Sequence, residues 1–271
     1  MSTAHCDACP AHAHLAQMGL SLDRFDRIVA LAGNPNTGKS TLFNALTGLR
    51  QHTGNWPGKT VTRAEGGYEF NNVRYKLVDL PGTYSLLSAS QDEEVARDFI
   101  LFGQPDCTIV VADAGALERN LNLTLQVLQI TGRVVLAVNL MDEARRKGIE
   151  IDTRSLTRDL GVPAIPIVAR TGEGTHQLLA AVEGVATGVT ETRPASFEAT
   201  PELRQAVDEL VPLIEAAAPG LPNTRWIAIR LLDGDARVQE ALASGELADL
   251  VSRQQAPAER FSRTIALEGA Q

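Results

Sequence analysis

Short apolar runs alternate with amphipathic stretches between Asp26 and about Gly188, and this alternation predicts strands interleaved with helices. Strand-length segments lie at 27–32, 61–69, 73–79, 107–113, 133–139 and 163–168. Segments with helical spacing lie at 40–48, 91–102, 117–131 and 174–184, with a short one inside 153–160. The pattern predicts an α/β fold whose mostly parallel, six-stranded sheet carries helices on both faces.

The ends of this pattern predict the domain boundaries. Asn71-Asn72, between two predicted strands, is typical of a tight hairpin, which would add one antiparallel edge strand to the sheet. Beyond Pro201, leucines at helical spacing predict a small all-α domain. We therefore expect a flexible extension at 1–25, an α/β domain at 26–188, a linker at 189–200 and a helical domain at 201–271.

The composition narrows the class of protein. A net charge of -8 argues against a general nucleic-acid binder, which would carry a basic face. Apolar runs stay short of the roughly 18 residues of a membrane helix, and the chain opens without a signal peptide pattern. Cys6, Cys9 and Cys107 do not make a disulfide framework, which fits a reducing cytoplasm.

A phosphate-binding loop is predicted between the first strand and the first helix. Gly33-Asn34-Pro35-Asn36-Thr37-Gly38-Lys39-Ser40 fits G-x-x-x-x-G-K-[ST], in which backbone N–H groups cradle the phosphates of a nucleotide. Thr41 follows in a helix whose N-terminal dipole faces the anion. The motif assigns Lys39 to the β- and γ-phosphates and the Ser40 hydroxyl to Mg²⁺.

A second motif, Asp79-Leu80-Pro81-Gly82, follows an apolar strand forty residues after the phosphate loop. This D-x-x-G placement gives Asp79 a water-mediated contact with Mg²⁺ and the Gly82 N–H a contact with the γ-phosphate. Thr83 stands where Ras-like enzymes carry the glutamine that orients the attacking water. With no arginine finger assignable in the chain, we expect intrinsic turnover of about 10⁻⁴ to 10⁻² s⁻¹.

Guanine recognition is predicted from Asn139-Leu140-Met141-Asp142, which matches N-x-x-D after a strand. The Asp142 carboxylate would accept hydrogen bonds from N1–H and the 2-amino group, and adenine offers neither donor. Guanine readers usually have Lys at the second position, so the aliphatic wall under the base comes from Leu140 or Met141 here. Val168, Ala169 and Arg170 occupy the place where a backbone N–H meets guanine O6.

The segment between the first helix and the second predicted strand has the composition of a mobile switch. It contains Gly54, Gly58, Pro57 and Trp56, which we expect to be exposed, and a segment of this composition is poorly suited to a hydrophobic core. Thr60 is its candidate second Mg²⁺ ligand, with Gly58 and Lys59 beside it.

These motifs combine into a specific resemblance that runs from about Ile28 to Gly188 and extends through residues 226–235. The chain resembles the cytosolic G domain of the FeoB family of prokaryotic ferrous iron transport proteins. The resemblance rests on Gly33–Ser40, Gly54–Val61, Asp79–Leu86, Glu118-Arg119-Asn120-Leu121 and Asn139–Asp142. It implies a P-loop GTPase fold of the Ras-like type, with 26–188 as the GTP-binding domain and 201–271 as a helical regulatory domain.

The resemblance also implies cofactors, partners and a location. GTP and GDP would be the nucleotides, Mg²⁺ the divalent ion, and K⁺ a second cation held by Asn36 with backbone groups of Gly54 and Trp56, in part replacing the missing arginine. The family joins this region to a membrane-embedded part that conducts Fe²⁺, at the cytoplasmic face of the cell inner membrane. Small cytosolic Feo-type regulators and self-association are compatible with it. The chain departs from the family pattern at Thr37, where Ser is more usual, and at Lys59, where Val is usual.

Two other interpretations stay open at this point. One is a free-standing potassium-dependent GTPase that acts on tRNA or ribosome assembly, which the acidic charge disfavours. The other is an interaction module that holds GDP without hydrolysing GTP and uses the helical domain as its working surface. The tail at 5–14, with Cys6, Cys9 and three histidines, has a composition that can bind a metal but a spacing that matches no established site.

Overall fold

A computed structural model describes residue 20 and residues 25–48, 51–87, 90–195, 200–221 and 223–248. These residues form two compact units. The described residues of the first, an α/β unit, end at Ala195, and those of the second, a helical unit, begin at Thr200. The strands are β1 Arg27–Gly33, β2 Gln51–Asn55, β3 Thr62–Phe70, β4 Val73–Asp79, β5 Cys107–Asp113, β6 Val134–Asn139 and β7 Ala164–Pro166. The helices are α1 Lys39–Thr47, α2 Gln91–Gly103, α3 Leu117–Ile130, α4 Met141–Arg146, α5 Thr153–Leu160, α6 Thr175–Thr187, α7 Pro201–Ala217, α8 Thr224–Leu232 and α9 Ala236–Ala243.

The α/β unit is built on one sheet with the strand order β2-β3-β4-β1-β5-β6-β7. β4, β1, β5, β6 and β7 are parallel, and β3 and β2 are antiparallel to their neighbours. Because β1 lies between β4 and β5, loops that follow these strands meet at one edge of the sheet, where ligands bind in such folds. The fold class predicted from the sequence is confirmed.

Both faces of the sheet are covered by helices, as the long apolar strands require. On one face, Leu42 and Phe43 of α1 and Leu178 and Val182 of α6 pack on a buried set of strand residues: Val29, Leu31, Tyr75, Leu77, Cys107, Ile109, Val111, Val135 and Ala137. On the other face, α3 packs against β1, β5 and β6. Cys107 is fully buried, as its place at the start of an apolar strand predicts.

The sheet has seven strands rather than the predicted six, and the additional strand is β2. It lies at the edge and pairs with the first half of β3, so β3 is not the edge strand that the sequence predicts. The side chains of residues 52–55 are exposed, so β2 carries no alternation of apolar and polar residues by which it could be found. The predicted hairpin at Asn71-Asn72 is confirmed, because both residues have positive φ between β3 and β4.

Residues 192–195, in the segment predicted as a linker, are hydrogen-bonded to the α/β unit. Thr192 Oγ1 donates to the Gly132 carbonyl at 2.7 Å, and the Arg193 N–H donates to the Gly161 carbonyl at 2.9 Å. Gly161 has φ +70°, and a methyl group added there would lie 1.7 Å from the Arg193 carbonyl oxygen. The close approach of the two backbones therefore requires glycine.

Gly161→Ala is expected to destabilise the α/β unit more than Gly148→Ala does. Both glycines have φ +70°, but a methyl group at Gly148 would meet no atom within 4 Å, so this variant carries only the conformational cost. The additional loss at Gly161 should be about 1–3 kcal/mol, the range for overpacking. Chemical unfolding of both variants measures the difference, and equal losses would show that residues 192–195 do not pack on Gly161.

The helical unit is organised by its caps and one buried ion pair. α7 begins after Thr200, whose hydroxyl accepts from the Leu203 N–H, with Pro201 in the first turn. Between α8 and α9, the buried Asp235 accepts from Arg230 at 2.9 Å and also caps the first turn of α9. The helices α7 and α8 pack against each other, and Val207 and Ile214 of α7 and Trp226 and Ile227 of α8 are buried. The helical character predicted for this region is confirmed in the described residues.

Candidate nucleotide-binding site

The phosphate loop joins β1 to α1 at the carboxyl edge of the sheet. Gly33 ends β1, Lys39 begins α1, and Asn36 and Gly38 between them have φ 68° and 82°. The side chains of Asn36, Ser40 and Thr41 are exposed. A methyl group at Gly38 would lie 2.3 Å from Asn139 Nδ2, so glycine is required there by packing as well as by φ.

Thr37 turns its side chain into the loop rather than toward solvent. It is 1% exposed, and its hydroxyl donates to the Asn34 carbonyl at 2.9 Å. Thr37 therefore stabilises the loop backbone through a side-chain hydrogen bond. Asn34 and Gly33 beside it are also buried.

Lys39 links the phosphate loop to the end of β4. Its ammonium forms an ion pair with Asp79 and donates to the Leu80 carbonyl at 2.7 Å. Burial raises the pKa of Asp79 above its ordinary value, while the charge and hydrogen bond of Lys39 oppose this rise. The structure thus brings together the two residues that the sequence assigns to the phosphates and to Mg²⁺.

The loop after β4 runs close to the phosphate loop. The Thr83 N–H donates to the Gly33 carbonyl at 3.3 Å, and the Thr83 hydroxyl donates to the Ser85 carbonyl at 2.6 Å. The same hydroxyl lies 3.2 Å from Glu93 Oε1, and Glu93 is 9% exposed. Sequence reasoning missed Glu93, although Ser90-x-x-Glu93 is a capping-box pattern that places a carboxylate at the start of α2.

Asn139, at the end of β6, joins two loops of the site. Its side-chain N–H donates to the Thr37 carbonyl at 2.9 Å, and its Oδ1 accepts from the Ala169 N–H at 2.9 Å. The residue is 1% exposed, so both amide atoms are used inside the protein. Asn139 therefore positions the phosphate loop against the loop after β7.

Asp142 lies in the first turn of α4 with its carboxylate 28% exposed. Arg170 approaches Asp142 Oδ2 at 3.3 Å and Arg146 approaches it at 3.7 Å. Leu140 has a left-handed φ of 61°, which turns the chain from β6 into α4. Met141 is 8% exposed and Leu140 is half-buried, so Leu140 is the more accessible candidate for the aliphatic wall.

The loop after β7 is closed by its own backbone. The Val168 N–H donates to the Glu173 carbonyl at 2.9 Å, and Glu173 forms an ion pair with Arg145 of α4 at 2.7 Å. Val168 and Ala169 are buried while Arg170 is exposed. Arg170 of the segment predicted to meet guanine O6 therefore lies beside Asp142.

The predicted switch forms a short hairpin that packs on α2. The Trp56 N–H donates to the Val61 carbonyl at 3.0 Å, and the Lys59 N–H donates to the Trp56 carbonyl at 3.0 Å. Trp56 is 5% exposed and packs edge-on against Phe99, so the expectation of an exposed tryptophan is wrong. The ring is covered because α2 supplies an apolar surface, which cannot be foreseen from a glycine-rich segment.

Some predicted residues are not brought together. Among the contacts of the described residues, none joins Gly54 or Trp56 to Asn36, and the Thr60 hydroxyl donates to Gln91 at 3.1 Å. The tail with Cys6 and Cys9 lies outside the described residues. In the described ranges, three or more His, Cys, Asp or Glu side chains nowhere cluster as a metal site would require.

Comparison with known proteins gives consistent results for both units. Residues 27–182 match the family model for ferrous iron transport protein B, and residues 200–265 match that for the FeoB cytosolic helical domain. The Fe(2+) transporter FeoB of Shigella flexneri is 42% identical over 211 residues, which cover 76% of this chain and 27% of that protein. The chain therefore spans about a quarter of the length of the curated relatives it matches.

Solved structures show the same similarity. The cytosolic domain of L. pneumophila FeoB is 35% identical with a TM-score of 0.72, covering 85% of this chain and 90% of that one. The cytosolic domain of the T. maritima FeoB iron transporter in GDP form I is 32% identical with a TM-score of 0.72, covering 85% and 94%. None of the described helices is long and apolar enough to cross a bilayer. The chain belongs to the ferrous iron transport protein B family and carries that family's GTP-binding G domain followed by its cytosolic helical domain.

Proposed function

We propose that this chain binds GTP, hydrolyses it slowly, and changes the conformation of residues 50–62 with the state of the nucleotide. One observation carries the proposal: Asn139 joins the Thr37 carbonyl of the phosphate loop to the Ala169 N–H beside Asp142. These two hydrogen bonds fix the position of the phosphate-binding loop relative to the residues that select the base. Specific nucleotide binding needs the phosphate-binding and base-selecting groups to be held at a fixed distance from each other.

Mg²⁺ fits the residues at the phosphate end of the site. The exposed Ser40 hydroxyl at the start of α1 and the Asp79 carboxylate at the end of β4 are oxygen donors of the kind that Mg²⁺ prefers. Ser40 and Asp79 would hold the ion, and Thr60 would join them in the triphosphate state. The ion supplies neutralisation of the charge on the β- and γ-phosphates when bound. Lys39 supplies a fixed positive charge beside Asp79.

A monovalent cation fits the site in part. The exposed Asn36 side chain offers an amide oxygen on the phosphate loop. The Trp56 carbonyl, by contrast, accepts from the Lys59 N–H. We propose that K⁺ is bound by Asn36 together with Gly54 and Trp56 when the hairpin rearranges in the triphosphate state. The cation would supply part of the charge stabilisation that an arginine finger gives other GTPases.

The remainder of the protein is proposed from its relatives. Curated relatives are named Fe(2+) transporters, and this chain covers 27% of their length. We propose that the G domain gates or regulates Fe²⁺ uptake by a membrane-embedded region of the same protein, at the cytoplasmic face of the inner membrane. Small cytosolic Feo-type proteins are the proposed regulators of this switch.

Thr60→Ala tests the switch directly. Loss of the hydroxyl should lower GTP turnover by roughly 10²-fold, the effect of removing one group that stabilises transition-state charge. It should also lower the Mg²⁺-dependent affinity for a non-hydrolysable GTP analogue. Thr62→Ala, which changes an exposed threonine two residues away, is the matched control. Unchanged turnover and analogue affinity in Thr60→Ala would show that Thr60 is not a ligand in the triphosphate state.

A further inference from the structure

Three side-chain contacts bind the hairpin residues Trp56, Lys59 and Thr60 to α2. From these contacts we propose that Gln91 and Glu94 are positioning residues, which hold Thr60 on α2 until a triphosphate is bound. The contacts Lys59–Glu94, Thr60–Gln91 and Trp56–Phe99 are called the α2 latch below. The proposal rests on the proposed function, because it assumes that Thr60 is used in the GTP state.

The polar part of the α2 latch matches two adjacent switch residues to one face of a helix. Lys59 Nζ lies 2.7 Å from Glu94 Oε2, and the two side chains are 35% and 31% exposed. Thr60 Oγ1 donates to Gln91 Oε1 at 3.1 Å. Residues three apart on a helix are neighbours on its surface, so Gln91 and Glu94 form a single docking edge. In the part of the chain that the structure describes, the side-chain contacts of Lys59 and Thr60 go to this edge.

The apolar part is the burial of Trp56. Its ring lies 5.4 Å from that of Phe99 at an interplanar angle of 64°, and Arg63 stands over it at 5.4 Å. The indole N–H is buried and has no acceptor among the described residues. A buried donor without a partner disfavours the state that buries it. The Trp56–Phe99 contact and the two polar contacts therefore stabilise the latched state, while the unsatisfied indole N–H destabilises it. Because these contributions oppose each other, the latch can open reversibly.

The consequence is a competition for Thr60. GDP binding makes no use of the Thr60 hydroxyl in the proposed mechanism, whereas GTP binding requires Thr60 to leave Gln91. The α2 latch therefore weakens binding of the triphosphate without weakening binding of the diphosphate.

The test measures the dissociation constants of GDP and of a non-hydrolysable GTP analogue, with Mg²⁺, for the whole chain. Glu94→Gln removes the ion pair, and Gln91→Ala removes the hydrogen bond. Each should raise the affinity for the analogue relative to GDP by about two- to fivefold, as expected for a partly exposed pair. Asp92→Asn, an exposed acid on the same helix turn, is the matched control and should leave the ratio unchanged.

Charge exchange and tryptophan emission separate a latch from a general structural role. The double variant Lys59→Glu with Glu94→Lys restores an ion pair and should return the ratio toward that of the wild type. In a Trp226→Phe background, Trp56 is the single tryptophan of the chain. Its emission should shift to longer wavelength when the GTP analogue binds and should not shift when GDP binds. In Glu94→Gln, the shift should occur at a lower concentration of the analogue than in the protein with Glu94.

The outcomes are distinct. A ratio that is the same in wild type, Glu94→Gln and Gln91→Ala would overturn the proposal, as would an equal loss of affinity for both nucleotides. A shifted ratio with restoration by the charge exchange supports it. If the ratio shifts but the chain releases no phosphate from GTP, the latch stands and the proposed hydrolysis fails.

Discussion

Asp142→Asn is expected to weaken GTP binding by about 2–4 kcal/mol, because the charged acceptor for the guanine N1–H and 2-amino group is lost. The amide should instead accommodate xanthine, whose 2-oxo group accepts where guanine donates. The variant should therefore prefer xanthosine nucleotides, which reverses the selectivity of the wild type. Competition binding with GDP, xanthosine diphosphate and ADP measures the change.

The neighbours of Asp142 supply a control and a way to contradict this prediction. Arg170 and Arg146 both approach its carboxylate, so part of any loss could come from these ion pairs rather than from the base. Glu143→Gln removes an adjacent charge that also faces Arg146, and it should leave guanine selectivity intact. Equal affinity of the wild type for ATP and GTP would show that Asp142 does not select the base.

K⁺ is expected to raise GTP turnover well above the level in Na⁺. The gain should be on the order of 10²-fold if the cation replaces one electrostatic group of a complete site. Asn36→Ala should abolish the gain, because the exposed Asn36 amide is the ligand proposed on the phosphate loop. Phosphate release from GTP in the two salts, for wild type and variant, measures the effect.

The affinity for GDP serves as the internal control for Asn36→Ala, since the base and Lys39 contacts lie elsewhere. Thr83→Ala should affect the K⁺ gain less than Asn36→Ala does, because the Thr83 hydroxyl is bonded to Ser85 and Glu93. Turnover that is the same in both salts, with Asn36→Ala silent, would exclude a cation site at Asn36. Water orientation would then fall to backbone groups of the hairpin.

The sequence predicted those parts of the fold that rest on strong local patterns. Fully buried strands such as β5 and β6 read as unbroken apolar runs, and the phosphate loop is fixed by glycine positions that packing requires, as at Gly38. β2 was missed because an exposed edge strand has no buried face to impose alternation. Trp56 was misjudged because its burial depends on Phe99, forty-three residues away in the chain.

In the site, too, residues in local motifs could be predicted from the sequence, whereas contacts between separate segments could not. Motif spacing predicted Lys39, Asp79 and Asp142 as site residues, since each lies at the end of a strand or in the first turn of a helix. The role of Asn139 as a tie between two loops, and of Glu93 as a partner of Thr83, depends on side-chain contacts across the sheet edge. Asn139 lies 102 residues from Thr37 and 30 from Ala169, so no local pattern predicts its contacts, and the capping-box pattern places Glu93 at the start of α2 without naming Thr83 as its partner.

The central claim is that this chain is a guanine-specific GTPase, and multiple-turnover phosphate release tests it most directly. Wild-type chain with Mg²⁺ and K⁺ is supplied with GTP or ATP, and Lys39→Ala provides the background. We expect release from GTP to continue well past one equivalent, at a rate above about 10⁻⁴ s⁻¹, while release from ATP stays at background. Equal release from the two nucleotides, or release from GTP no faster than with Lys39→Ala, would contradict the claim.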